Sequence, residues 1–173
     1  MIIVTGMPRT GTSVLMRVLF YLDQTVCGKK FPIGRDKTHN PNGYFEDFDL
    51  YRADFGGINF DEESAIKVNL RKLVEKDISL SETNDRVILC TRNPADIVTS
   101  QINTGYANSS NPVRVLAYNA KWYQKFNDWI GDVPLLTVNM EQLKANKSAG
   151  VGAIRNFISS SRIDNIAEGI IEG

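Results

Sequence analysis

The stretch that decides the fold is Ile2-Ile-Val-Thr-Gly-Met-Pro-Arg-Thr-Gly-Thr-Ser13, near the start of the chain. Its first residues are apolar or β-branched and predict a short buried strand, which runs into a loop between Gly6 and Gly11. An apolar-periodic helix follows directly. Free backbone amides at a helix start favour an anion, and glycine allows close approach to the backbone. This stretch therefore predicts a strand, an anion-binding loop and a helix.

The cation in this loop is not where the common nucleotide-binding loop has it. The pattern Gly-x-x-x-x-Gly-Lys-Ser/Thr would place a lysine at residue 12, but this chain has Thr12 there and its cation at Arg9. Thr12 and Ser13 add hydroxyl groups that can donate to an anion. The alternative interpretation is a tight turn that only feeds a buried helix.

Length and composition are typical of one globular domain, and we expect residues 1–173 to form it. Twenty basic residues balance twenty acidic ones, so no overall field draws the chain to nucleic acid or to a membrane surface. Any anion site must be local. Two cysteines do not suggest a secreted disulfide framework, and neither a signal peptide nor a membrane-spanning stretch is visible. We therefore expect a cytoplasmic protein.

Short apolar runs without polar alternation occur along the chain and are typical of strands covered on both faces. Helical patterns lie between them, which predicts a three-layer α/β/α domain around a central parallel sheet. The predicted strands are Ile2–Thr5, Arg86–Thr91 and Leu135–Asn139, with Ser64–Leu70 as a fourth candidate. The predicted helices are Ser13–Leu22, Asp47–Phe55, Leu70–Lys76, Pro94–Thr104, Val113–Ile130 and Ala149–Ser159.

A second candidate anion site follows the strand Arg86–Thr91, in the segment Arg92-Asn-Pro-Ala-Asp-Ile-Val-Thr-Ser100. Asn93 is a natural N-cap and Pro94 suits the first helical position. The segment therefore places Arg92 at the carboxyl end of a strand, beside a helix N-terminus. A capped helix with a solvated arginine is the alternative interpretation.

Pro8-Arg-Thr-Gly-Thr-Ser13 resembles the 5′-phosphosulfate loop of the sulfotransferases, whose donor is 3′-phosphoadenosine 5′-phosphosulfate (PAPS). Strand, Arg-Asn-Pro and a serine eight positions after the arginine resemble that family's site for the 3′-phosphate. The segment Val138–Leu143 looks like a divergent form of its late Tyr-Glu-Asp-Leu segment. The resemblance implies a P-loop NTPase-like sulfotransferase fold and these donor-binding residues: Arg9, Thr10, Gly11, Thr12, Ser13, Arg92 and Ser100. Because ATP has no 3′-phosphate, the second site distinguishes PAPS from ATP.

The general base is the least defined part of the predicted site. Lys37-Thr-His39 superficially repeats the Lys-Thr-His of the animal cytosolic enzymes, but no strand leads into it. The better positional match, around Lys67, has Asn69 in place of the family's histidine, and an amide cannot act as a base. The resemblance implies that Lys67 assists the sulfuryl group.

Asn40-Pro-Asn-Gly-Tyr-Phe-Glu46 resembles a segment that many bacterial sulfotransferase-like proteins carry soon after the loop. Since other branches of the superfamily use a glutamate as base, Glu46 is the first candidate, followed by Asp47 and His39. The alternative is that Asn40–Gly43 is a turn and that Glu46 lies in the first turn of a helix.

Three functions are compatible with these motifs. The first is a PAPS-dependent sulfotransferase that acts without a metal on a hydroxyl or amine of a small-molecule, glycan or lipid acceptor. The second is a degenerate protein that binds PAPS, or its desulfated product PAP (adenosine 3′,5′-bisphosphate), without turnover. The third is an ATP-dependent kinase, against which the missing loop lysine argues. The sequence identifies neither the acceptor nor the oligomeric state.

Overall fold

The computed structural model describes residues 1–28, 45, 64–107 and 109–171, with side chains described as far as residue 159. The predicted helix Asp47–Phe55 lies outside these residues. So do two of the predicted catalytic residues, His39 and Glu46. The fold and the site below are those of the described residues.

A sheet of parallel strands forms the middle layer, as the sequence predicts. In the described part of the chain it consists of β1 (Ile2–Gly6), β2 (Thr25–Val26), β3 (Ser64–Asn69), β4 (Arg86–Thr91) and β5 (Leu135–Asn139). Their order across the sheet is β2-β3-β1-β4-β5, and all neighbours pair in parallel. The strand β1 lies in the middle because the chain extends the sheet first on one side of it and then on the other. In parallel α/β sheets the carboxyl ends of the strands at such a point form the ligand crevice.

Helices cover both faces of this sheet. They are α1 (Thr12–Tyr21), α2 (Leu70–Glu75), α3 (Pro94–Asn103), α4 (Pro112–Ile130), α5 (Met140–Ala145) and α6 (Lys147–Ile171). Asparagine side chains cap five of them by accepting from backbone amides of the first turn. These caps are Asn69, Asn93, Asn111, Asn139 and Asn146.

The two faces of the sheet have separate hydrophobic cores, because successive strand residues point to opposite sides. One core includes Val4 and Ile88 with apolar residues of α1, α5 and α6. The other includes Ile3 and residues of α2 and α4. The aromatic residues of α4 lie here. Trp122 and Phe126 are buried.

The structure differs from the sequence prediction at three elements. β2 is a two-residue strand that the sequence analysis missed, because two residues are too few to show a period. Helix α5 is a separate six-residue element, and Asn146 separates it from the next helix. That helix, predicted at Ala149–Ser159, begins at Lys147 and continues to Ile171.

Candidate functional site

The first loop lies where its sequence predicts, between the carboxyl end of β1 and α1. A Cβ atom at Gly6 would lie 2.7 Å from the backbone oxygen of Cys90, so only glycine fits against β4 there. Gly11 has φ +105, which a side chain would strain, and its position lies against Met140. The Thr10 hydroxyl is buried and donates to the Met7 carbonyl oxygen at 2.8 Å. Both glycines and Thr10 thus fix the shape of the loop.

The loop presents the N-terminus of α1 to the space above the sheet. The N-cap residue Gly11 has no side chain to bond the first-turn amides. These amides and the positive end of the helix dipole favour an anion. Thr12 and Ser13, the first two helical residues, also border this space.

Arg9 extends from the loop toward α3. Its backbone is left-handed at φ 74, which is rare for a residue with a side chain. Its Nε donates to the hydroxyl oxygen of Ser100 at 2.9 Å. Among the described residues no carboxylate pairs with Arg9. The predicted 5′-phosphosulfate cation and a predicted 3′-phosphate residue therefore contact each other directly, a link across 91 residues of sequence that neither motif indicated.

Arg92 lies at the end of β4, as predicted, but its surroundings are acidic. One terminal guanidinium nitrogen donates to Asp96 Oδ2 at 3.3 Å, and its Nε lies 3.4 Å from Glu141 Oε1. The second oxygen of Glu141 accepts from the amide of Asn93 at 3.1 Å. Two carboxylates thus already balance part of the charge of Arg92.

Lys67 lies on β3, on the other side of β1 from Arg92. Its side chain is buried, and its ammonium donates to Ser13 Oγ at 3.3 Å. The structure therefore places Lys67 beside the start of α1, and its assistance to a sulfuryl group stays a prediction. Asn69, two residues later, accepts from the amide of Arg71 as the N-cap of α2.

A cavity of about 910 Å³ lies above the carboxyl ends of the strands. Seven predicted site residues line it, and these are Arg9, Thr10, Gly11, Thr12, Ser13, Lys67 and Arg92. Ser100 is not among these lining residues, but its hydroxyl accepts a hydrogen bond from Arg9, which is. The predicted base Glu46 and its alternatives Asp47 and His39 lie outside the described residues, so their roles stay predictions.

The sequence analysis missed two polar residues that line this cavity, Gln101 and Asn119. Their side chains are only 3% and 5% exposed, and their amides are hydrogen bonded at 3.0 Å. The available signal was spacing. Gln101 follows Ile97 by four positions and Val98 by three, so it occupies the buried face of α3.

A third group on the cavity wall belongs to α2 and α4. Arg71 donates to the Tyr118 hydroxyl at 3.0 Å and from Nε to Glu75 at 2.7 Å. The pKa of Arg71 is raised, first by the Glu75 hydrogen bond and then by that of Tyr118. The pKa of Lys72 is lowered, chiefly by partial burial and then by the neighbouring cations. This wall lies at the end of β3, opposite Arg92.

Cys90 lies directly behind the loop and is part of the core. Its thiol donates to the Thr10 carbonyl oxygen at 3.0 Å, and burial raises its pKa to about 12. Within the described ranges, no group of three or more His, Cys, Asp or Glu side chains could hold a metal ion. No helix in the same ranges combines the length and apolar character needed to cross a membrane.

No family model and no curated protein matches this chain. Solved structures do match. The mouse sulfotransferase SULT7A1 complexed with PAP aligns with 91% of this chain and 57% of its own, at TM-score 0.53 and 17% identity. Retinol dehydratase with androsterone and inactive cofactor PAP aligns with 91% of this chain and 59% of its own, at TM-score 0.53 and 11% identity.

A second retinol dehydratase structure, with retinol and PAP, aligns with 98% of this chain and 64% of its own, at TM-score 0.53 and 13% identity. The chain thus spans roughly three fifths of the length of these matches. At such low identity the likeness establishes the fold alone. The chain has a sulfotransferase-like fold, with the loop between Gly6 and Gly11 at the end of the central strand of a parallel α/β sheet.

Proposed function

We propose that this protein is a PAPS-dependent sulfotransferase. The observation that carries the proposal is that Arg9 and Arg92, which lie in the strand-to-helix connections of two adjacent strands, line one cavity. A donor with a phosphate at each end of its ribose needs two separated cationic sites. The absence of a lysine at position 12 argues against an ATP site of the usual kind.

The described residues fit this donor. The first-turn amides of α1 with Thr12 and Ser13 suit the 5′-phosphosulfate, and Arg92 suits the 3′-phosphate. Thr10 and Gly11 shape the loop, and Ser100 is assigned to the 3′-phosphate site by resemblance. When bound, the donor supplies an activated sulfuryl group.

In sulfuryl transfer a bond forms between sulfur and the acceptor oxygen or nitrogen, and the bond from sulfur to the bridging phosphate oxygen breaks. The proton of the acceptor passes to a base, and negative charge develops on the leaving phosphate. Arg9 is suited to stabilise that charge, and Lys67, bonded to Ser13, to hold the sulfuryl oxygens. Glu46 is proposed as the base, with Asp47 and His39 as the alternatives.

The acceptor is proposed to enter from the β3 side. Arg92 occupies the β4 side of the central strand, so the wall formed by α2 and α4 remains for the acceptor. Arg71, Tyr118 and Val115 on this wall offer polar and apolar contacts. A small molecule suits this space, and a glycan or lipid hydroxyl belongs to the same proposal.

Cys27 and Cys90 are free thiols, which supports a reducing compartment such as the cytoplasm.

A second candidate function is a protein that binds PAP or PAPS without turnover. The observation that favours it is at Asn69, which caps a helix at the place where the resemblance expects a histidine. The two functions differ only in whether the site, besides its cations, contains a general base that takes the proton of the acceptor.

The test is to incubate the protein with PAPS and a panel of phenol, alcohol, amine and glycan acceptors, and to measure PAP and sulfated product. We expect acceptor-dependent PAP release in the wild type and its loss in Glu46→Gln, with PAP binding retained. Asp132→Asn, at an exposed position that does not line the cavity, serves as the control for removal of a carboxylate. PAP binding without turnover on any acceptor would favour the second function, and turnover that survives Glu46→Gln but not His39→Ala would reassign the base.

A further inference from the structure

The cavity floor contains a buried chain of polar side chains that no motif explains. Gln101 on α3 donates from Nε2 to the Pro8 carbonyl oxygen at 2.8 Å. Asn119 on α4 donates from Nδ2 to Gln101 Oε1 at 3.0 Å. The chain therefore connects α4, α3 and the phosphate loop.

The direction of these hydrogen bonds is fixed by chemistry. A carbonyl oxygen only accepts, so Gln101 must present its NH2 group to Pro8 and its oxygen to Asn119. Asn119 must then present its own NH2 group to Gln101. This leaves Asn119 Oδ1 buried, with no hydrogen-bond donor among the described residues.

An arrangement with an unpaired buried acceptor is not the most stable way to fill this space. Buried polar groups without partners lower stability, whereas an apolar pair of similar size would carry no such penalty. The described contacts thus indicate that Gln101 serves to fix the loop through its hydrogen bond to the Pro8 carbonyl oxygen, rather than to maximise stability.

Gln101 holds the peptide that precedes Arg9. The left-handed backbone of Arg9 is strained and persists only when its surroundings fix it. The Met7 carbonyl is bonded to Thr10 on one side of this turn, and the Pro8 carbonyl is bonded to Gln101. The neighbouring residue of α3, Ser100, holds the guanidinium of Arg9.

We propose that Gln101, supported by Asn119, is a positioning residue that sets the conformation of the phosphate loop and the direction of Arg9. Ser100 accepts a hydrogen bond from the Arg9 side chain, and Gln101 donates one to the carbonyl oxygen of the preceding residue, Pro8. Because α3 begins next to Arg92, the same helix fixes the spacing between the two cationic ends of the cavity. The part of this inference that concerns donor affinity rests on the proposed function.

The experiment compares Gln101→Met, which keeps the length of the side chain but cannot donate, with Asn119→Leu. Gln124→Met is the matched control, since Gln124 lies exposed on α4 and bonds only Asp128 among the described residues. Three quantities are measured: the urea midpoint of unfolding, the Kd for PAP, and the NMR signal of the Arg9 Nε–H group.

We expect Gln101→Met to weaken PAP binding about tenfold and Asn119→Leu about threefold. Each variant also lowers the urea midpoint, because it leaves buried polar partners unpaired, but the affinity loss should exceed what the unfolded fraction explains. The Arg9 Nε–H signal should shift and exchange faster with solvent in Gln101→Met. In Gln124→Met all three quantities should stay at wild-type values. If Gln101→Met does not fold, Asn119→Leu decides the question by the same measurements.

Unchanged PAP affinity together with an unchanged Arg9 signal would overturn the inference. An affinity loss that only follows a loss of stability would also overturn it, because Gln101 would then be a packing residue. If the wild type binds no PAP, the proposed function fails, and the Arg9 signal alone then tests whether Gln101 positions the loop.

Discussion

Arg9 and Arg92 line the same cavity, but their surroundings differ in charge. Arg9 donates to a neutral hydroxyl, that of Ser100, whereas Arg92 lies between the carboxylates of Asp96 and Glu141. A guanidinium that is already paired gains less from an added phosphate than an unpaired one. We infer that the loop with Arg9 provides most of the donor affinity and that Arg92 provides discrimination for the 3′-phosphate.

The largest effect is expected from Arg9→Ala. Charge-assisted contacts are worth about 1.5–3 kcal/mol, so PAP binding should weaken roughly 100-fold, measured by calorimetry. Arg9→Lys keeps the charge but not the planar group that bonds Ser100, and should recover only part of the loss. A loss from Arg92→Ala that exceeds the loss from Arg9→Ala would reverse the comparison.

The next effect concerns the backbone of the loop. Gly11→Ala places a side chain at φ +105 and against Met140, which should destabilise the protein by about 1–2 kcal/mol. PAP affinity should fall as well, because the α1 amides move.

Gly131→Ala is the control for Gly11→Ala. Gly131 also has positive φ, but a Cβ there meets nothing within 4 Å. It should lose stability and keep wild-type PAP affinity. Equal loss of affinity in both variants would show that the loop geometry is not specific to binding.

Lys67→Met separates turnover from donor binding. The Lys67 ammonium lies beside Ser13, on the opposite side of β1 from Arg92, where the sulfuryl group is proposed to bind. We therefore expect PAPS turnover to fall about tenfold, while PAP affinity changes less than threefold. Lys121→Met, at an exposed position of α4, is the control for the loss of a lysine. Similar losses of PAP affinity and of turnover would assign Lys67 to donor binding alone.

The smallest effect tests the acidic surroundings of Arg92. Glu141→Gln removes one carboxylate and keeps an oxygen for the Asn93 amide, so PAP should bind about two- to threefold more tightly at low salt. Glu75→Gln, which removes a carboxylate at the opposite wall, should give a smaller gain. An equal gain in both variants would attribute the effect to overall charge.

The sequence predicts the parts of this molecule that local patterns determine. Strands β1, β4 and β5 show as apolar runs, and Asn93 and Pro94 mark the start of α3. The contacts that join the site could not be predicted, since Arg9 meets Ser100, and Gln101 meets Pro8, across more than 90 residues. Such contacts depend on the packing of α3 against the loop.

The carboxylate of Glu141 that lies beside Arg92 could not be predicted from the sequence either. The segment around Glu141 is visible as a helix start after a strand, but its proximity to Arg92 follows from the pairing of β4 with β5. The sequence therefore indicates where anions could bind and leaves the relative strength of the two sites to the structure. The predicted base Glu46 lies outside the described residues and stays a prediction.

The proposed function requires that the cavity distinguish a nucleotide by its 3′-phosphate. The most direct test titrates PAP, ADP and ATP, without magnesium, into the wild type and into Arg92→Ala. We expect the wild type to prefer PAP, and Arg92→Ala to lose this preference while it still binds the 5′ end through the loop. Equal binding of ATP and PAP by the wild type would contradict it.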